Sequence, residues 1–488
     1  MADTILELVL ALVMVASTLA FGAVQPIAYS LMEIVVLLTL LAALYTRTSS
    51  GARSAPRPAV FGRGGGQKGR ASLYVALWSV PFVLWAAIEI VPIPVTWVAR
   101  LSPARLLDPS LAAVHISTLS ISPHDTALML MKLMAYLAAF VLAASFFDSN
   151  RRKSTLLAAL VALALFEAAY GSVQYLTGWQ KIFAYTKKYY TTEGTGTYIN
   201  HNHFAGLLEL ALPFVVAAVF YHFQIWSAER AAGGRRRVPG QGPSSAGLRA
   251  FFYLFLAVIV VVGSICSKSR GGIVGIAASV ALVAVLAQVK TGQRVWLLGL
   301  LLFLLGAGAY GMWIGLGPLA ERFQALGQQG YMEQADLRVP VWRDDLRLIH
   351  DYPLTGTGLG TFASAFRQYQ TVGVNLFFDH THNDYLEVAS DTGLVGAALL
   401  FIPILVLLVR MMASFLSDPR RYRRSVTLGA IGSVTALLLH SATDFNLQIP
   451  ANALIFAVVL GIGYKAAVVE RRRERQAAPV APAAVAVA

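Results

Sequence analysis

Gly393-Leu394-Val395-Gly396-Ala397-Ala398-Leu399-Leu400-Phe401-Ile402-Pro403-Ile404-Leu405-Val406-Leu407-Leu408-Val409 is an apolar run that follows directly on a polar one, Asp379-His380-Thr381-His382-Asn383-Asp384-Tyr385-Leu386-Glu387. About 20 apolar residues match the hydrocarbon thickness of a bilayer, so the first stretch reads as a membrane-spanning helix that begins near Gly393. The second places two imidazoles and three carboxylates at the mouth of that helix. So much polarity at a membrane boundary is costly unless it is used, which makes Asp379 to Glu387 the candidate reactive centre.

The same apolar signal recurs along the chain. It has 488 residues, 57% of them hydrophobic and 13% charged, with a mean hydropathy of +0.63. The pattern predicts twelve spans: Ile5 to Val24, Ile27 to Tyr45, Leu73 to Val91, Thr126 to Phe147, Ser154 to Thr177, His203 to Trp226, Ala250 to Ser267, Gly272 to Val289, Val295 to Gly317, Gly393 to Ala413, Ser425 to Thr443 and Ala451 to Val469. This is an all-α polytopic membrane protein, and a soluble multidomain reading fails. The single cysteine, Cys266, excludes a disulfide framework and a Cys-based metal site. Met1 to Glu7 lacks a basic n-region and a cleavage site, so the first run reads as a retained helix.

The net charge of +14 does not point to nucleic acid, because the basic residues cluster in alternate connections. They gather between Arg47 and Arg70, at Arg151 to Lys153, between Arg230 and Arg249, at Lys290 and Arg294, at Arg420 to Arg424 and at Arg471 to Arg475. Positive charge marks cytoplasmic loops, which puts both termini inside and requires an even number of spans. The stretches 46–72 and Gly233 to Gly247 then read as flexible cytoplasmic loops, and 470–488 as a basic, disordered tail. On the outer face one loop, 318–392, is far longer than a helix connection needs.

Within this loop, Leu337 to Asp351 predicts an amphipathic helix with Val341, Leu346, Leu348 and Ile349 apolar. Gly356-Thr357-Gly358-Leu359-Gly360 has the look of a phosphate loop but lacks the GK[ST] ending, and reads first as a turn beside a packed helix. Ionisable residues at membrane depth, among them Glu33, Glu89, Lys132, Glu167, Glu209, His440 and Asp444, map to the outer halves of their helices, and many can be plain packing contacts. A transporter would place such groups near the midplane. Outer-face cations run against the inside bias. Arg270, in the turn Ser267-Lys268-Ser269-Arg270-Gly271-Gly272, together with Arg338 and Arg343, suits a phosphate or diphosphate. The plain alternative is ion pairing with Glu321, Asp336, Asp344 or Asp345.

From about Gly171 onward these residues resemble the O-antigen ligase and polymerase family of bacterial membrane glycosyltransferases, which includes O-linked oligosaccharyltransferases. The resemblance rests on Ser269-Arg270-Gly271-Gly272, on Arg338-x-x-x-Trp342 with Asp351-Tyr352-Pro353-Leu354-Thr355-Gly356-Thr357-Gly358, on His380-Thr381-His382-Asn383-Asp384-Tyr385-Leu386 with Gly393-Leu394-Val395-Gly396, and on His440-Ser441-x-x-Asp444-Phe445. Asn200-His201-Asn202-His203-Phe204-Ala205-Gly206 is similar to one subgroup. The basic loop 46–72 lies outside the pattern. This divides the chain into N-terminal membrane helices (1–170), a ligase-like core (171–469) and the tail.

The resemblance implies glycan transfer in the inner membrane, on the periplasmic or exterior side, from an undecaprenyl-diphosphate-linked donor to a glycan, lipid or protein hydroxyl. It also implies inversion without metal, nucleotide or other cofactor. The residues lead to the same chemistry, since transfer outside the cell needs a base for the hydroxyl and cations for the departing diphosphate. His382 is the expected base, His380 its helper, and Asp384 or Asp379 the group that holds a ring nitrogen. Arg270, Arg338, Arg343, Lys268, His203, Asn383, His440 and Asp444 are the expected substrate contacts. Three rivals stand beside this: a secondary transporter of a small anion such as bicarbonate, a metal-dependent hydrolase using Asp379, His380, His382 and Asp384, and a structural role in which the histidines cap the following helix.

Overall fold

A computed structural model describes residues 2–52, 80–146, 150–231, 245–303, 305–306, 337–371, 373 and 375–469. In chain order the helices are α1 (Ala2–Leu19), α2 (Pro26–Ala52), α3 (Val80–Glu89), α4 (Val95–Leu101), α5 (Pro123–Ser145), α6 (Asn150–Thr177), α7 (His201–Ala231), α8 (Ala246–Cys266), α9 (Arg270–Thr291), α10 (295–303), α11 (Arg338–Asp351), α12 (Phe362–Phe366), α13 (Asp384–Ser417), α14 (Arg421–His440) and α15 (Pro450–Tyr464). Strands among the described residues are confined to two small antiparallel hairpins, β1 (Ile93–Pro94) with β2 (Ile116–Ser117) and β3 (Lys181–Ile182) with β4 (Tyr185–Thr186).

Among the described residues eight helices, α2, α5 to α9, α13 and α15, are long and apolar enough to cross a membrane, which makes this a multi-pass membrane protein. Burial sorts them. The apolar windows of α7 and α15 are 78% and 89% buried, whereas those of α2 and α8 are 28% buried and turn leucines, valines and phenylalanines outward, as lipid requires. Of the expected spans Ile5 to Val24 and Leu73 to Val91, the described residues form the shorter apolar helices Thr4–Leu19 and Val80–Glu89. The one expected from Ser425 is α14, whose first turn carries Arg421, Arg423 and Arg424. Packed among α7, α9, α13 and α15, α14 has little surface to offer lipid, so small and polar residues suffice; Ser433 Oγ donates to the Leu210 carbonyl of α7 at 2.7 Å. Parts of other expected elements lie outside the described residues: 53–79 of the basic loop and third span, 233–244, 307–317 of the ninth span, 318–336 of the long loop with Glu321 and Asp336, and 470–488.

The site depends on how α13 enters the bundle. A straight helix of its 34 residues would run about 51 Å, well beyond the ~30 Å hydrocarbon layer. Gly393 breaks it, with φ 67° and ψ 175°, a conformation open to glycine alone. The backbone groups freed at the break find partners: Trp85 Nε1 of α3 donates to the Thr392 carbonyl at 2.9 Å, and Leu394 N donates to the Pro353 carbonyl at 2.9 Å. Residues 384–392 thus form a separate helical step above the span that the sequence begins at Gly393.

The Gly356 to Gly360 loop grips that step. Gly360 N and Thr361 N donate to the Asp391 carboxylate at 2.7 and 3.1 Å, and Leu359 N donates to Glu89 at 2.8 Å. The loop's amides do meet carboxyl groups, but these belong to the protein itself. Helix α11 lies beside it and differs from its expected face: Val341, Leu348 and Ile349 are buried, while Leu346 is 54% exposed. Asp344 and Asp345 go inward instead. Asp344 accepts from Thr371 N at 2.8 Å, and burial pushes the Asp345 carboxyl up to about 8, helped by Glu387 and Asp391.

Candidate functional site

The turn between α14 and α15 carries Asp444-Phe445, and three histidines close around the phenylalanine. His380 stacks on the Phe445 ring at 4.2 Å between centroids, while His382 and His203 meet it edge-on at 4.8 and 4.6 Å. Asp444 is fully buried. Its Oδ1 accepts the Phe445 amide at 2.8 Å and lies 3.4 Å from His203 Nε2; its Oδ2 accepts Asn202 Nδ2 at 2.6 Å and Arg338 Nη2 at 3.3 Å. Burial opposes ionisation of Asp444, but the His203 contact and the neighbouring His440 outweigh it and hold the carboxyl well below the ordinary carboxylate range. Asp444 is therefore a fixed anion that draws α7, α11 and the α14 turn together.

The residues before α13 divide the work among themselves. Asn383 is the N-cap of α13: its Oδ1 accepts Tyr385 N and Leu386 N at 3.0 and 3.2 Å, and its Nδ2 donates to the Ala442 carbonyl at 3.0 Å. Asp384 is fully buried and accepts Leu447 N at 3.1 Å. Glu387, one turn further, faces His380, and its Oε1 lies 2.6 Å from His380 Nδ1 while Oε2 accepts Thr381 N at 3.0 Å. The carboxylate on a ring nitrogen is thus Glu387, where the sequence suggested Asp384 or the exposed Asp379. Burial disfavours the His380 cation, yet Glu387 outweighs it and raises its pKa to about 9.

His382 is the opposite case. Its backbone sits in the left-handed region, φ 55°, a cost of about 1–3 kcal/mol for a residue with a side chain. Its Nδ1 is buried with no hydrogen-bond partner. Burial lowers its pKa, Arg338 and His380 lower it further, and Asp444 and Asp379 only partly oppose this. The result is a neutral imidazole next to a charged one, the pairing that an acid–base site needs.

Of the remaining expected contacts, His440 pairs with Glu209 of α7, 2.7 Å from Nδ1 to Oε1, deep between α7 and α14. The Ser269 to Gly272 turn fits against it. A Cβ on Gly271 would fall 2.5 and 2.7 Å from the His440 ring, so only glycine lets α9 begin there. Arg270 stands exposed at that same helix start, behind the Ser269 cap, whose Oγ accepts Gly272 N at 3.1 Å. Lys268 lies 5.2 Å over the Tyr175 ring, and Arg343 is on the exposed face of α11, about 140° around from Arg338. The structure therefore gathers His203, Arg338, His380, His382, His440 and Asp444, sets Asn383 and Asp384 beneath them and Arg270 alongside, and turns Lys268 and Arg343 to other surroundings.

Sequence reading missed Glu387 and Glu209 as the partners of His380 and His440, Asn202 as a ligand of Asp444, and Phe445 as the hub. Nothing in the order of residues predicts that 203, 380, 382 and 445 meet. Among the described residues no three His, Cys, Asp and Glu side chains are arranged to hold a metal ion.

Residues 252–401 match the family described as O-antigen ligase. The match takes in the Ser269 to Gly272 turn, α11, the histidine motif and the Gly393 break, and supports glycosyl transfer of the O-antigen ligase or polymerase type. His203 lies before it, and His440 and Asp444 lie beyond it. No curated protein matches the chain.

Proposed function

We propose that this chain, which carries an O-antigen ligase domain over residues 252–401, transfers a glycan from an undecaprenyl-diphosphate-linked donor to an acceptor hydroxyl on the extracytoplasmic side of the inner membrane. In this reading neutral His382 takes the hydroxyl proton as the acceptor oxygen attacks the anomeric carbon. The bond from that carbon to the diphosphate breaks with inversion, and the diphosphate leaves with the electron pair. Arg338, Arg270 and the His380 imidazolium meet its charge, so no metal is used. Glu387 holds His380 charged, and Asp444 holds Arg338 and His203 in place. The observation that carries the reading is the juxtaposition of His382 and His380 on the Phe445 ring beside the Arg338–Asp444 pair.

A cavity of about 210 Å³ supports the lipid half of the donor. It runs among α3, α5, α13 and α15, is lined by residues such as Leu133, Leu400, Leu407, Phe456 and Leu460, and reaches Val388 and Leu447 beside the site. A polyprenyl chain seated there would leave its diphosphate near the histidines. A small anion has no use for such walls, which favours transfer over transport. The topology in this proposal has twelve spans, both termini cytoplasmic, N-terminal helices over 1–170 and a catalytic core over 171–469.

Purified protein given an undecaprenyl-diphosphate-linked glycan and a panel of core-lipid, polysaccharide and protein acceptors should release undecaprenyl diphosphate and form an inverted linkage. Absence of product with every acceptor, together with bicarbonate uptake into proteoliposomes, would replace this reading with the transporter.

A further inference from the structure

The connection between α6 and α7 is held more firmly than a link between two helices requires. Gln174 of α6 donates to the carbonyls of Lys181 and Gly196, both at 2.9 Å, and accepts Thr195 N at 3.0 Å. Two turns earlier Glu167 accepts Thr197 N at 2.8 Å and Thr197 Oγ1 at 2.6 Å. Lys187 ties the limbs together, donating from N to the Gln180 carbonyl at 2.9 Å and from Nζ to the Glu193 carbonyl at 2.7 Å. Gln174, Glu167 and Lys187 are all buried. What this frame presents is Tyr189-Tyr190.

Tyr190 is held at φ 53°, outside the range a bulky residue adopts freely. Its ring lies 4.6 Å from that of His201, at the start of α7, and remains 36% exposed. His201 stands two residues before His203 on α7, and the phenol lies within electrostatic reach of Asp444 and Arg338, so the ring lies beside the site. Tyr189 beside it is 67% exposed. The other exposed aromatics of this region, Trp179 and Phe183, gather instead around Tyr170 on α6, where a membrane interface accounts for them.

We propose that Tyr189 and Tyr190 form a platform that stacks against a saccharide ring of the glycan held at the site. A pyranose has an apolar C–H face and a rim of hydroxyls. The face suits an aromatic ring, and the rim suits the charged groups around it. Stacking of this kind tolerates changes in hexose identity, because it reads the ring face rather than particular hydroxyls. A frame fixed by buried side chains spares the ordering entropy that a loose loop would lose on binding. The inference rests on the glycan-transfer reading and adds a sugar subsite to it.

The test compares binding of bare undecaprenyl diphosphate with that of undecaprenyl diphosphate carrying one N-acetylglucosamine, using the purified full-length protein in detergent. In the wild type the sugar should improve affinity about tenfold. Tyr190→Ala should erase most of that gain and leave affinity for the bare lipid unchanged. Tyr190→Phe should keep it, and Tyr189→Ala, at a more exposed position, should lose a smaller part. An equal gain in Tyr190→Ala, or no gain in the wild type while both lipids bind, overturns the platform and leaves the transfer reading standing. Failure of the wild type to bind either lipid overturns the donor assignment and the platform with it.

Discussion

Glu387→Gln isolates the charge of His380 with little change of shape. A rise in the His380 pKa from its ordinary 6.5 to about 9 means that folding favours the charged imidazole. The sign follows from linkage: the folded value is above the unfolded one, so the stabilisation is complete below 6.5 and is lost as pH rises through about 9. At 1.36 kcal/mol per unit this comes to about 3 kcal/mol at pH 6, about 2.5 kcal/mol at pH 7 and almost nothing by pH 10. The 2.6 Å contact with Glu387 is its main source, so the neutral glutamine should remove most of it. Apparent melting temperatures of wild type and Glu387→Gln in detergent should differ most near pH 6 and converge by pH 10. In transfer assays the wild-type rate should rise with pH through the lowered His382 pKa, below 6.5, and fall near 9 as His380 loses its proton. In Glu387→Gln the alkaline fall should move down toward 6.5. A melting difference independent of pH, or an alkaline limb that stays near 9 in the variant, would refute the assignment of His380 as a cation.

The arginines make a second case: Arg338→Lys and Arg270→Lys should each lower transfer roughly tenfold or more with little change in melting temperature, because an ammonium cannot reproduce the planar fork. Full transfer in both would remove them from the leaving group. Exhaustive chelation with metal analysis should leave activity intact, whereas a loss that zinc, magnesium or manganese restores would promote a metal-assisted mechanism. In a Cys266→Ala background, a cysteine at Gly373 should react with an impermeant thiol reagent in spheroplasts and one at Gly240 should not; reversed labelling would put the histidine cluster in the cytoplasm.

Eight of the expected spans were legible among the described residues because each apolar run answers to one physical length, and the apolar run that begins near Gly393 marks the part of α13 beyond its break. The inner position of α14 was not legible, since burial among other helices leaves a weaker apolar signal than burial in lipid. The histidine motif announced itself as polarity at a membrane mouth. Its division of labour did not, because Asn383, Asp384 and Glu387 all look like candidate partners until the folded chain sends them to the cap, the Leu447 amide and His380 respectively. Long-range meetings were beyond reach. Asp444 joins side chains from α7 and α11, and Tyr190 reaches the same place through a loop whose only advertisement is two adjacent tyrosines.

The central claim is that His382 removes the acceptor proton, and single-turnover transfer by His382→Ala, measured beside donor binding, tests it most directly. General-base assistance contributes about a hundredfold to ten-thousandfold in rate, so the variant should lose at least a hundredfold in turnover. It should bind the undecaprenyl-diphosphate-linked glycan as well as the wild type does, because Arg338, Arg270 and the Glu387–His380 pair are untouched. Normal turnover in His382→Ala, or a loss that comes entirely from failure to bind donor, would contradict the account.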